Sequence, residues 1–191
     1  MKQDIILCGV GGQGILSIAT VIAQAATAAG LHIKQAEVHG MSQRGGDVQS
    51  DLRLSTDEIF SDLIPDGSAD LIISMEPMEA LRYIPRLNAG GAVVSAAEPL
   101  VNIPDYPDQD EILRALSALP HAEVREISRI AREAGNPKGS NMVLLGIASK
   151  YIGILPAAAL REAITVIFAA KGQDIIDANL RAFDLGAGNG L

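Results

Sequence analysis

The chain has one cysteine, no tryptophan, and only three tyrosines and three phenylalanines among its 191 residues. A lone thiol, Cys8, excludes an internal disulfide and a four-thiolate iron–sulfur cluster held by this chain by itself. With aromatics at 3% and hydrophobic residues at 48%, a core has to be built from Ala, Ile, Leu and Val, the usual filling between helices and a parallel sheet. Cationic residues are also in short supply. The net charge of −8, with no Lys/Arg cluster, disfavours nucleic acid and anionic membrane surfaces as partners. No apolar run approaches the roughly 20 residues that span a bilayer. Met1 is not followed by a basic region, apolar stretch and cleavage site, and a cytoplasmic location is expected. The histidines, His32, His39 and His121, have no metal-ligand spacing, and no Ser–His–acid or Cys–His set can be assembled. No catalytic residue and no metal ligand is therefore assigned.

What is there reads as one α/β domain over residues 1–185, followed by a glycine-rich flexible tail at 186–191. Short apolar runs bounded by Gly predict strands at 4–8, 33–38, 69–75, 92–96 and 121–127. Helices are predicted at 12–29, 77–86, 110–119 and 128–134, and from 140 to about 183 with breaks at Leu155-Pro156 and Gly172. The segment 48–54 alternates apolar and polar residues, which predicts a strand with one wet face at a sheet edge, antiparallel to its neighbours. The proline-bearing segment through Pro99, Pro104 and Pro107 is the candidate for a mobile connection. The fold class is α/β: a three-layer, mostly parallel Rossmann-like sheet with one antiparallel strand and a helical carboxyl-terminal third.

Two glycine-bearing segments carry the chemistry. Gly9-Val10-Gly11-Gly12-Gln13-Gly14 joins the first strand to the first helix, and a helix amino end attracts anions through its unpaired N–H groups and the helix dipole. Glu37-Val38-His39-Gly40-Met41-Ser42-Gln43-Arg44-Gly45-Gly46 follows the second strand and supplies an acid, an imidazole, a hydroxyl, an amide and a guanidinium. In a doubly wound sheet both lie along one carboxyl edge, where ligands bind. The glycine turn has three readings. One is a dinucleotide site, with Glu37 about 20 residues on as the ribose contact. Another is an anion site for a coenzyme A-type ligand or for a partner's cofactor. The third is purely structural, allowing close packing of helix on strand. His39 can exchange protons near neutral pH. Arg44 either clamps an anion or pairs with Glu37 or Asp47 to pin the loop. Ser140 reads as a helix cap with Asn141 beside it, Glu76 as a cap or an edge-site residue, and Cys8 as a core residue.

These two segments, with Asn141 and Leu144-Leu145-Gly146, resemble the gamma-type domain of the 2-oxoacid:ferredoxin oxidoreductases, over nearly the whole chain and closest to its indolepyruvate branch. The resemblance implies a non-cofactor subunit, inactive alone, in an enzyme that converts an aryl 2-oxoacid to its acyl-CoA thioester and passes electrons to ferredoxin. Thiamine diphosphate and iron–sulfur clusters would then belong to a large partner subunit, with coenzyme A as a shared ligand and ferredoxin met through the holoenzyme. The cofactor-binding candidates are Gly9, Gly11, Gly12, Gln13, Gly14, Glu37, His39, Gly40, Met41, Ser42, Arg44, Gly45 and Asn141. The competing class is a stand-alone dinucleotide-binding oxidoreductase or nucleotide-binding module. The helical carboxyl third is expected to offer apolar surface to another chain, either the large subunit or, in the isolated protein, a second copy.

Overall fold

A computed structural model describes residues 1–40 and 45–188. The elements follow in the order β1 (Lys2–Val10), α1 (Ile15–Ala28), β2 (His32–His39), β3 (Asp47–Ser55), β4 (Ala69–Ser74), α2 (Pro77–Arg82), β5 (Leu87–Ala96), α3 (Gln109–Ser117), β6 (Ala122–Arg125), α4 (Ile127–Glu133), α5 (Ser140–Ala148), α6 (Ala157–Phe168) and α7 (Gln173–Gly186). The strands form one sheet in the order β2-β3-β1-β4-β5-β6. β1, β4, β5 and β6 pair in parallel, and β3 alone runs antiparallel to both its neighbours.

The sheet separates two apolar layers because successive side chains on a strand alternate faces. Ile5, Leu7, Leu52 and Leu71 point to the layer made by α1 and the carboxyl-terminal helices, where Phe183 is fully buried. Ile6, Cys8, Ile72 and Val93 point to the thinner layer that includes Ala80 of α2 and Ile112 and Leu116 of α3. The expected three layers and the single antiparallel strand are present.

Three expectations need correction. β3 is not at an edge: it lies between β1 and β2, and β2 is the exposed edge strand. The alternation in β3 is not a wet face, since Asp51 is buried against Arg86 and the half-buried Arg53 pairs with the buried Asp4. Both partners are distant in sequence, so the two charges read locally as solvent-facing. The predicted helix 77–86 is α2 followed by a separate 3₁₀ turn, Ile84–Arg86, and β5 begins at Leu87, ahead of the predicted strand 92–96, with a register shift against β4. At the other end α7 runs through Gly186, so the helix takes in the first residue of the segment read as a tail.

Candidate functional site

The antiparallel course of β3 builds the site. It brings the carboxyl end of β2 and the amino end of β3 to the same edge as the carboxyl end of β1, so Gly40 and Gly46 lie beside the first glycine turn. Gly11 N–H donates to Gly46 O at 2.9 Å, and Gly40 N–H donates to Asp47 O at 2.8 Å. A Cβ on Gly40 would sit 2.6 Å from Asp47 Oδ1, which is why a glycine stands there.

Between the segments lies an open pocket of about 480 Å³. Its floor is the turn Val10-Gly11-Gly12, one wall is the start of α1 at Gly14, Ile15 and Leu16, and the opposite wall is His39, Gly40 and Val48. Gly14 precedes α1 with φ +84°, a left-handed conformation that a side chain would strain. Among the described residues no side chain caps α1, and no acid stands in its first turn, so the partial positive charge of this helix end is open to an outside acceptor.

The structure brings Gly11, Gly12, Gly14, His39 and Gly40 to this pocket and gives the other described candidates different work. Gln13 is a brace: its Oε1 accepts from Val10 N–H at 2.7 Å and its Nε2 donates to Met75 O at 3.1 Å, tying the turn to the end of β4. A Cβ on Gly9 would meet Gln13 Oε1 at 2.8 Å, so Gly9 makes room for that brace. Asn141 reaches over from α5 and donates from Nδ2 to Gly14 O at 3.3 Å. Gly45 O accepts from Asn102 Nδ2 at 2.5 Å, which ties the second segment to the proline-bearing connection. Glu37 Oε2 lies 3.3 Å from His39 Nε2, and its Oε1 accepts from Gln35 Nε2 at 2.7 Å. Met41, Ser42 and Arg44 lie outside the described residues.

The placement of Glu37 bears on the dinucleotide reading. β3 separates β2 from β1, so Glu37 stands two strand spacings, roughly 10 Å, from the glycine turn instead of on the adjacent strand. The parallel β1–α1–β2 neighbourhood that a dinucleotide fingerprint requires is absent here.

Two capping expectations resolve differently. Glu76 is the cap of α2, accepting from Glu79 N–H at 2.9 Å, and it also holds residues 97–108 by accepting from Leu100 N–H and the Tyr106 hydroxyl. Burial first, and then the bond to Glu76, push the Tyr106 phenol upward. Ser140 does not cap α5, because Gly139 holds the cap position and no side-chain bond is made there. Ser140 instead lines a second, smaller pocket of about 250 Å³ with Lys138, Ser128 and Glu98, on the far side of Gln13. Leu16, Val48, Asn102 and Lys138 are the edge residues that pattern reading missed. Val48 reaches the edge through the sheet order and Asn102 through its bond to Gly45 O, neither of which leaves a local signal.

Cys8 is fully buried, and desolvation pushes its thiol up to about 12. A metal cluster needs several thiolates, so this donor set does not fit one. Among the described residues no three His, Cys, Asp or Glu gather into a metal site, and no helix is long and apolar enough to cross a membrane.

Residues 4–188 match the family model for pyruvate ferredoxin/flavodoxin oxidoreductase. The chain is 38% identical over 196 aligned positions to the indolepyruvate oxidoreductase subunit IorB of Pyrococcus horikoshii, covering 97% of this chain and 95% of that one. In fold it is similar to 2-oxoglutarate:ferredoxin oxidoreductase from Magnetococcus marinus, solved with 2-oxoglutarate, coenzyme A and succinyl-CoA bound. The TM-score is 0.77 and the identity 24%, over 98% of this chain and 31% of that longer one. The gamma subunit of a keto/oxoacid ferredoxin oxidoreductase from Geobacter sulfurreducens superposes with a TM-score of 0.74 at 20% identity, covering 99% of this chain and 96% of that one.

Proposed function

The chain belongs to the pyruvate ferredoxin/flavodoxin oxidoreductase family, and from that premise we propose that it is the smaller subunit of an indolepyruvate:ferredoxin oxidoreductase. The observation that carries the reading is the near end-to-end match to an indolepyruvate oxidoreductase subunit at 38% identity. The reaction is the oxidative decarboxylation of an aryl 2-oxoacid to its acyl-CoA thioester, with the electrons passed to ferredoxin in the cytoplasm. Thiamine diphosphate on the large partner subunit supplies carbanion stabilisation, and iron–sulfur clusters there supply the electron path. Its single, buried cysteine leaves this chain without the set of thiolates that a cluster needs.

Its own contribution is the edge pocket. The uncapped start of α1 attracts an anionic group, and Gly11, Gly12 and Gly40 leave backbone open to close approach. His39 adds an imidazole that can donate or accept a hydrogen bond. Gln13 and Asn141 hold the turn in place from behind. The ligand proposed for this pocket is the phosphate-bearing portion of coenzyme A, presented in the assembled enzyme. Met41, Ser42 and Arg44 are proposed as further contacts on their place in the motif, with Arg44 as an anion clamp.

Reconstitution tests the reading. The chain and the large subunit are purified separately and assayed for indolepyruvate- and coenzyme A-dependent reduction of ferredoxin. The expected result is turnover in the mixture and none from this chain, which should purify colourless and free of iron. Turnover or stoichiometric cluster iron in the isolated chain contradicts it.

A further inference from the structure

Phe60 is 88% exposed and Leu63 is 60% exposed, in a chain with only three phenylalanines. Both stand on the connection between β3 and β4, at the amino edge of the sheet and opposite the glycine pocket.

The backbone under these side chains is tied down. Arg53 Nη1 donates to Ser61 O and Leu63 O, each at 3.0 Å, while its Nε and Nη2 hold the buried Asp4 carboxylate at 2.9 and 3.1 Å. Arg86 donates to Ile64 O at 2.5 Å and grips the buried Asp51 through both Nη atoms, and Asp51 in turn accepts from Ile64 N–H at 2.9 Å. Ile59 and Ile64 occupy the inward positions. The loop therefore cannot turn its phenylalanine inward without breaking the bonds by which Arg53, Arg86 and Asp51 hold the backbone of residues 61–64. An aromatic ring held outward on an ordered backbone leaves apolar area in water that folding does not recover, and a second protein can cover it at little cost in ordering.

The surroundings specify the cover. Asp57, Glu58, Asp62 and Asp66 are all exposed around the two apolar side chains. Arg86 approaches Asp66 only to 3.9 Å and is already bonded to Asp51. We infer that Phe60 and Leu63 are the apolar anchor by which this chain docks into a pocket with a basic rim on the large subunit of the oxidoreductase. A second copy would set acid against acid, and an anionic membrane would be repelled in the same way. The inference rests on the subunit reading above. It is in keeping with the Magnetococcus relative, in which this fold makes up 31% of a longer chain and so has covalently attached neighbours.

The test is a titration of the full chain against the purified large subunit at low and high salt, with the doubly substituted variants Phe60→Ser/Leu63→Ser and Asp62→Lys/Asp66→Lys. Because all four side chains are exposed, each variant is expected to melt with the parent. The apolar variant should bind at least tenfold more weakly. The charge variant should bind as weakly and lose the salt dependence of the parent. Apolar-variant binding within twofold of the parent overturns the anchor while leaving the subunit reading intact, and unchanged binding by the charge variant overturns the basic rim. Failure of the parent itself to bind the large subunit overturns both the subunit reading and the inference. A parent that sediments as a dimer, and that Phe60→Ser/Leu63→Ser makes monomeric, assigns the anchor to a second copy and overturns the occupant named here.

Discussion

Replacing Gly146 with Ala should destabilise the protein, although alanine is the better helix former. α5 and α7 cross with no side chain between them at two reciprocal points. A Cβ on Gly146 would stand 2.1 Å from Phe183 O, and one on Gly186 would stand 2.1 Å from Val143 O. Carbon–oxygen contacts between packed elements settle at about 3.3–3.6 Å, so one methyl must drive the helices apart by about an ångström. The obstruction is backbone on a helix whose Phe183 is fully buried, so no rotamer change relieves it. The propensity gain from Gly to Ala is about 1 kcal/mol, whereas overpacking a well-filled core costs about 1–3 kcal/mol, and a backbone clash belongs at the upper end. The net loss of about 1–2 kcal/mol lowers Tm by about 2–8 °C in a domain of this size. Thermal and urea unfolding measure it, with Gly153→Ala as the control, since nothing lies within 4 Å of a Cβ there. A Gly146→Ala protein that melts at or above the parent would falsify the close-crossing argument. The same displacement moves Asn141, on the first turn of α5, away from Gly14 O, so a local loosening of the glycine turn should accompany the loss.

Two further outcomes concern titrating groups. The buried Cys8 thiol, raised to about 12 from an ordinary 9.0, should be inert to thiol reagents at pH 8, where only about one in ten thousand is thiolate, and should label only once urea opens the core. Its folded value lies above the unfolded one, so its contribution to stability is whole below pH 9.0 and is lost as pH rises towards 12; rapid labelling of the native protein would contradict the burial. For Glu123, burial works to raise the carboxyl, but Lys150 at 2.5 Å and Arg125 at 3.0 Å outweigh it and hold the value below the ordinary 4.5. The stability difference between parent and Glu123→Gln should therefore be constant above about pH 5 and shrink as pH falls below 4.5 through the lower folded value. A difference that grows on acidification would reverse the sign of that argument.

Much of this fold is legible in local pattern, and the failures have a common cause. The apolar run of β1, the glycine turn and the broken helical third are all near-neighbour signals, and each element lies close to where the pattern put it. β3 was misplaced because the partners that neutralise Asp51 and Arg53, namely Arg86 and Asp4, come from other parts of the chain. At the site, the joining of the first glycine turn to His39 and Gly40 follows from one antiparallel strand between parallel ones. The division of labour among the candidates does not follow from sequence. Gln13 and Asn141 look like ligand residues in a motif, yet their side-chain amides are bonded to backbone. Asn102, inside the proline-bearing connection, carries no periodic signal and reaches Gly45 through a fold-dependent contact.

The central claim is that the uncapped start of α1 reads the anionic part of coenzyme A in the assembled enzyme. Leu16 lines that pocket in the first helical turn and is 37% exposed. Leu16→Glu puts a carboxylate where the helix dipole favours one by about 0.3–1 kcal/mol, so folding should be preserved. The same charge should repel an anionic ligand. The decisive measurement is steady-state kinetics of the Leu16→Glu complex with the large subunit, varying coenzyme A and the 2-oxoacid separately. The account predicts a KM for coenzyme A at least tenfold higher, with the KM for the 2-oxoacid unchanged. An unaltered KM for coenzyme A in a complex that assembles and melts like the parent would contradict it.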